Sequence, residues 1–231
     1  KLIKDALTMY AGLNGSLERI TLRSLSLENP CVKSTPELKY RNNKFVFDAG
    51  FLGNIAQNLD YRIGGSFGIV ENMPFYVNDT INGLLNQFAL VYDDVNVLNI
   101  NAELGFKRSN EMHFWVGADY FQYWMDQEEK PWHRPNFRLN VGGDYIINDK
   151  YLVKAELFFQ GEMYAKLHHE GEVISEKING WADLNLGLEY RITDKLSAFV
   201  KLNNVLNNGY LKWYNYPVQK FNALLGVSFA F

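Results

Sequence analysis

Apolar and polar residues alternate with a period of two through nearly the whole chain, which restricts the fold more than any other feature of the sequence. Ala182, Leu184, Leu186, Leu188 and Tyr190 share one face of a segment whose other face carries Asp183, Asn185, Gly187, Glu189 and Arg191. Leu98, Ile100, Ala102, Leu104 and Phe106 stand against Asn99, Asn101, Glu103 and Lys107 in the same way. Strand side chains point to opposite faces in turn, so this pattern belongs to half-buried β-strands and not to helices. No convincing stretch of period 3.6 appears. About ten such segments can be read, from Leu7, Met9, Ala11 and Leu13 at the start to Phe221, Ala223, Leu225, Val227, Phe229 and Phe231 at the end.

Most of these segments are long, whereas strands of globular proteins average about 5–6 residues. Strands that cross a membrane at a steep tilt need about 9–11. Tight polar turns are expected at Lys4-Asp5, Gln57-Asn58, Ser109-Asn110, Asn148-Asp149 and Thr193-Asp194. Longer loops are expected at 28–43, 71–86, 126–135, 167–178 and 208–219. Short and long connections alternate, as do the periplasmic turns and outer loops of a membrane barrel. A soluble sandwich or lipid-binding barrel would also alternate. The strand lengths, the two-sided loop plan and aromatics near strand ends favour the membrane: Phe45/Phe47, Phe114/Trp115, Tyr120 to Trp124 and Trp213 to Tyr216. The fold predicted is therefore all-β, an antiparallel transmembrane β-barrel, with the apolar face toward lipid and the charged face lining a lumen. Residues 1–231 read as the C-terminal part of such a barrel domain, about ten C-terminal strands of a larger barrel.

The 231 residues carry 23 Lys and Arg against 26 Asp and Glu, a net charge of −3. This balance argues against a nucleic-acid partner. No run of 18 apolar residues exists, so no transmembrane helix is expected. Cys31 is alone, which excludes an internal disulfide and a four-thiolate metal site. No catalytic constellation emerges, and no enzyme activity, cofactor or metal is called for. His113, beside Phe114 and Trp115, reads as an interfacial aromatic. His133 sits in Lys130-Pro131-Trp132-His133-Arg134-Pro135, a loop apex fixed by Pro and Trp. His168-His169 with Glu170 and Glu172 reads as a solvated loop, as do Asp93-Asp94, in preference to a calcium site. Gly53, Gly64-Gly65 and Gly142-Gly143 lie inside strands, where glycine eases curvature or close packing.

The C-terminal stretch carries a recognisable pattern. Leu225, Val227, Phe229 and Phe231 alternate to an aromatic end, which resembles the signal read by the outer-membrane barrel-assembly machinery. Asn203-Asn204-Val205-Leu206-Asn207, Tyr210, Trp213, Tyr216-Pro217 and the closing LLGVSFAF resemble the last two strands of TonB-dependent outer-membrane receptors. ENMPFYVND, VYDDVNVLN and KPWHRPNF resemble segments of such receptors from the Bacteroidetes group. The resemblance implies a barrel of up to 22 strands in the bacterial outer membrane, an N-terminal plug and import of a scarce ligand driven by TonB. The opening Lys1-Leu2-Ile3 reads as the tail of a strand, so the chain is expected to begin partway through a longer protein. The expected ligand contacts are aromatics of the outer loops: Phe75, Tyr76, Tyr123, Trp124, Trp132, His133, Trp213 and Tyr214. Expected partners are outer-membrane lipid, the assembly machinery during biogenesis, TonB through a plug, and other envelope proteins. A barrel of this family could alternatively serve as a non-transporting scaffold in an envelope complex.

Overall fold

The computed structural model describes residues 7–79, 87–109, 111–169 and 172–231. The expected turn at Lys4-Asp5, Asn110 and part of the expected loop 71–86 lie outside them. Ten long strands form one sheet: β1 (Thr8–Arg19), β2 (Tyr40–Ala56), β3 (Leu59–Asn78), β4 (Phe88–Arg108), β5 (Met112–Met125), β6 (Phe137–Ile147), β7 (Tyr151–Gln160), β10 (Trp181–Arg191), β11 (Leu196–Asn203) and β14 (Asn222–Phe229). Each pairs antiparallel with its neighbour in that order, which is the order of a meander. Two short hairpins are inserted: β8 (Met163–His169) with β9 (Glu172–Ile178), and β12 (Leu211–Trp213) with β13 (Tyr216–Pro217). The sheet is open in this chain, with β1 and β14 as its edges. No helix is long and apolar enough to cross a membrane among the described residues.

Register puts the alternation to work. Leu186 stands opposite Ala155 and Leu202, and Ala102 stands opposite Ile63 and Ala118. The apolar set of every strand therefore shares one face of the sheet. That face is uncovered: Leu13, Phe47, Ile63, Ile100, Leu188 and Val227 are all exposed large apolar side chains. A water-soluble protein does not present a continuous apolar face across ten strands. In lipid the same face is the solvated one.

The opposite face is polar, and its charges meet across strands. Arg62 Nε lies 3.9 Å from Glu103 Oε2, and His113 Nδ1 lies 3.4 Å from Asp144 Oδ1. His113 thus belongs to the lumen face, not to a lipid interface, because it falls on the odd positions of β5 with Trp115, Gly117 and Asp119. A curled sheet leaves less room on its concave side. There a large side chain lies flat over a glycine directly across the ladder. Trp115 covers Gly142, where an added Cβ would fall 2.1 Å from the indole. Tyr10 covers Gly50 and Gly64 in the same way.

All the described connections at one end are tight: 57–58, 148–150 and 192–195. Asn148 and Asp149 both have positive φ, 51° and 56°, which matches the twist of a short hairpin. The other end carries the long connections, at 20–39, 126–136, 161–180 and 204–221. Two of the expected loops are corrected. Residues 71–78 continue β3, and most of 167–178 belongs to the β8–β9 hairpin. A seven-residue helix, α1 (Leu22–Glu28), also escapes the periodicity, being under two turns long. Its signal was local: Thr21 caps it and exchanges bonds with Ser24 in a capping box.

Candidate functional site

The long connections do not stand apart as separate loops. They pack together on an arm formed where β3 and β4 outrun the rest of the sheet. β2 leaves β3 at Glu71, a bulge follows between Val70 and Met73 with Asn72 at φ 53°, and the β3–β4 pair continues alone from Met73↔Asp93 to Asn78↔Phe88. A two-stranded ribbon is marginal by itself in water. This one is covered on both faces.

One face presents Tyr76 and Phe88, both fully buried. Ile20, Leu25, Cys31, Val32, Trp213 and Tyr216 pack there. Trp213 meets Tyr76 edge-on at 5.0 Å and Phe88 at 5.6 Å. Backbone bonds add to this, since Phe88 N donates to Cys31 O and Lys33 N donates to Phe88 O. The other face presents Phe75 and Val77, covered by Trp132 and flanked by Tyr123 and Tyr164. A third cluster of Met163, Ala165 and Ile178 joins the β8–β9 hairpin to Leu211 and Tyr214.

The sources of these segments matter more than their number. α1 comes from the β1–β2 connection and Trp213 from the β11–β14 connection. These lie at opposite ends of the ten-strand order, yet both rest on Tyr76 and Phe88. The sheet must therefore curl into a trough, and the joined connections form a cap over one end of it.

Polar anchors fix the cap. Asp93 is 2 % exposed, and its carboxylate accepts from Gln127 N at 3.0 Å, Glu128 N at 2.8 Å and Asp94 N at 2.8 Å. Asp94 Oδ1 accepts from Asn72 N at 2.9 Å. These acids are spent on backbone amides, so the reading of Asp93 as solvent-exposed is corrected. Asp93→Ala leaves buried amides unpaired, at about 1–3 kcal/mol each. The expected result is faster proteolytic nicking within 126–136, with β10 protection unchanged. Glu128 holds Lys166 Nζ at 2.7 Å and Trp132 Nε1 at 2.6 Å. Arg134 pairs with Glu28, and the Tyr76 hydroxyl lies between Leu25 O and Glu28 Oε2. Burial, reinforced by the Glu28 charge, pushes the Tyr76 phenol up, so it remains a donor.

His133 is the junction. Its amide donates to Tyr164 O at 2.9 Å, Nδ1 lies 2.9 Å from Tyr76 O, and Tyr214 N donates to Nε2 at 3.5 Å. A carbonyl partner at Nδ1 and an amide partner at Nε2 require a neutral ring protonated at Nδ1. Burial lowers its pKa to about 4; the Tyr76 carbonyl opposes the shift and the Arg134 charge adds to it.

The expected ligand contacts are thus sorted by the structure. Phe75, Tyr76, Trp132 and His133 are between 0 % and 4 % exposed and form the inside of the cap, not its surface. Trp124 is on the outward face, 47 % exposed and 6.3 Å from Phe67. Tyr123, Trp213 and Tyr214 are half-buried at the margins of the clusters. Leu225, Val227 and Phe229 lie on the apolar face of β14, and Phe231 follows it fully exposed. The described residues hold no group of three or more metal-ligating side chains. The His168-His169 pair borders Glu170, which lies outside the described residues.

Sequence comparison finds no family model that matches the chain, and no curated protein does. Similar solved structures are found along its whole length. The pyoverdine outer-membrane receptor FpvA of Pseudomonas aeruginosa, bound to pyoverdine, matches 99 % of this chain and 34 % of its own, with a TM-score of 0.73 at 17 % identity. The copper transporter OprC matches 100 % and 38 %, at 0.69 and 13 %. The ferric-catecholate import receptor Fiu of Escherichia coli K12 matches 98 % and 33 %, at 0.69 and 13 %. The resemblance to TonB-dependent outer-membrane receptors holds in three dimensions, and the fold is that of their β-barrel. The chain spans about a third of the length of these proteins.

Proposed function

We propose that this chain is part of a larger outer-membrane β-barrel that takes up a scarce solute, with TonB as the driving partner through a plug seated in the lumen. The observation that carries the reading is the trough itself: apolar and uncovered outside, charged inside, and roofed by interlocked connections. Two open sheet edges and an uncovered apolar face suit a barrel completed by further strands, since closure alone removes edges. Wide polar walls, with side chains lying flat on glycine, leave the lumen free for a plug or a passing solute. The alternating apolar end of β14 is the segment we assign to the assembly machinery.

The ligand, in this reading, meets the margins of the cap. Tyr123, Trp213 and Tyr214 keep part of their surface open and are assigned to contact. Phe75, Tyr76, Trp132 and His133 hold those three in place. FpvA, OprC and Fiu handle a ferric pyoverdine, copper and ferric catecholates respectively, so iron chelates and copper are the first solutes to try. The test is accumulation of labelled ferric chelates and copper in cells with and without the gene, and in cells carrying Tyr123→Ala with Tyr214→Ala. Gene-dependent uptake of one solute, with affinity about tenfold weaker in the double variant, is expected, since truncating a well-placed aromatic contact costs more than about 1 kcal/mol. Uptake of every solute that is indifferent to the gene would overturn the reading and favour a scaffold.

A further inference from the structure

His133 has contacts that reach three separate connections at once. Its own segment supplies Trp132 to one face of the ribbon. Its ring sits 5.2 Å from Phe88 and 5.4 Å from Trp213, on the other face. Its amide ties the β8–β9 hairpin through Tyr164 O, and its Nε2 receives the Tyr214 amide from the turn of the β12–β13 hairpin. Beyond Glu71, β3 has no partner on its β2 side, and the Tyr76 carbonyl contact with Nδ1 lies in that unpartnered stretch.

We infer that His133 is an acid-released latch, whose protonation frees the β8–β9 and β12–β13 hairpins from the β3–β4 ribbon and uncovers the mouth of the trough. A proton on Nε2 turns that atom from acceptor to donor and sets N–H against the N–H of Tyr214. It also places a charge between Phe88 and Trp213, 4 % exposed, with no anion bonded to either ring nitrogen. The surrounding charges do not compensate. Glu28 is occupied by Arg134 and the Tyr76 hydroxyl. Glu128 is occupied by Lys166, and Lys130 lies over Tyr164, 3.7 Å from the ring centre. Glu162 is paired with Lys177. From the β12–β13 side come Lys212, Tyr214 and Tyr216, and from α1's continuation Cys31, none of which brings a carboxylate. Arg134, the next residue along, opposes a second positive charge.

The sign follows from the two states. The released ring protonates near its ordinary value of 6.5, and the latched ring only near 4. Latching is therefore complete above pH 6.5 and is lost progressively as pH falls from 6.5 toward 4. The opening equilibrium should rise roughly 70-fold between pH 7.4 and pH 4.5.

The test is hydrogen exchange, corrected for intrinsic rates, on the full-length protein in detergent micelles at both pH values. Peptides from the two hairpins should open by that factor, while peptides from β10 stay protected. His133→Asn keeps a donor and an acceptor, tolerates the positive φ of 56° and cannot take the proton, so it should reduce the response to under about threefold. Equal hairpin protection of the wild type at both pH values would overturn the inference. So would a full acid response in His133→Asn, which would place the trigger elsewhere. Should that variant fail to fold, the wild-type ring can be titrated directly by nuclear magnetic resonance. A ring that titrates near 6.5 while the hairpins remain protected overturns the latch.

Discussion

Leu186→Arg should abolish stable insertion, while Asn185→Arg, one residue away, should leave it nearly intact. Leu186 lies midway along β10 between Ala155 and Leu202, on the apolar face. If that face meets lipid, an arginine near the midplane costs about 2–4 kcal/mol. That is a shift of roughly 30- to 1,000-fold in the folding equilibrium. Asn185 points the other way, into the charged face, where Glu156 stands directly across and would pair with the new cation, in exchange for the bond that Asn185 Oδ1 accepts from Asn204 N at 3.0 Å. The readout is heat-modifiable mobility and denaturant midpoint in lipid vesicles. A soluble barrel with an apolar interior would suffer at the same position, so the two are separated by the wild type itself, which should need detergent or lipid to stay monodisperse if the apolar face meets lipid. The pair of variants therefore tests the assignment of the two faces, and the detergent requirement tests which of them meets lipid. Equal tolerance of both arginines would sink the membrane assignment.

The two faces were readable because a period of two is a local property. Ala182 to Tyr190 needs no knowledge of the partner strand to declare which side chains go together. The tight turns were readable for the same reason: Asn148 and Asp149 are residue types that accept positive φ without help. What the pattern could not show was how far each strand runs. Met73 to Asn78 break the alternation, since both of their faces are apolar or aromatic, and Pro74 suggests a loop. They become a ribbon only because α1, Trp132 and Trp213 arrive from distant parts of the chain to cover both sides. The same non-local packing changed the standing of the candidate contacts. An aromatic in a polar connection reads as exposed until the connection is seen to fold back. Trp132 had one usable sign, the Glu four residues before it that accepts its indole N–H. Asp93 had none, since amides 34 and 35 residues away satisfy it.

Removing the Glu128 carboxylate should free the β8–β9 hairpin more completely than any other single truncation in the cap. Lys166 and Glu128 are each only 15 % exposed, and the carboxylate also takes the Trp132 indole N–H. Glu128→Ala leaves an ammonium and an indole donor in a half-dry site. Breaking a buried pair from one side costs about 3–5 kcal/mol, mostly because the surviving charge is stranded. The double variant Glu128→Ala with Lys166→Met removes both charges. It should recover more than half of that loss, with the Trp132 donor accounting for what remains. A cycle of this kind measures the coupling directly. The loss should be confined to the cap: exchange in β8–β9 rises while β10 and β11, which share no contact with Glu128, keep their protection. Additive losses in the double variant would mean that the two groups act independently, and that the hairpin is held by the Met163, Ala165 and Ile178 cluster instead. Full coupling, together with an unchanged acid response in the double variant, would separate the two fastenings of the same hairpin. The ion pair would set how strongly it is held, and His133 would set when it is released.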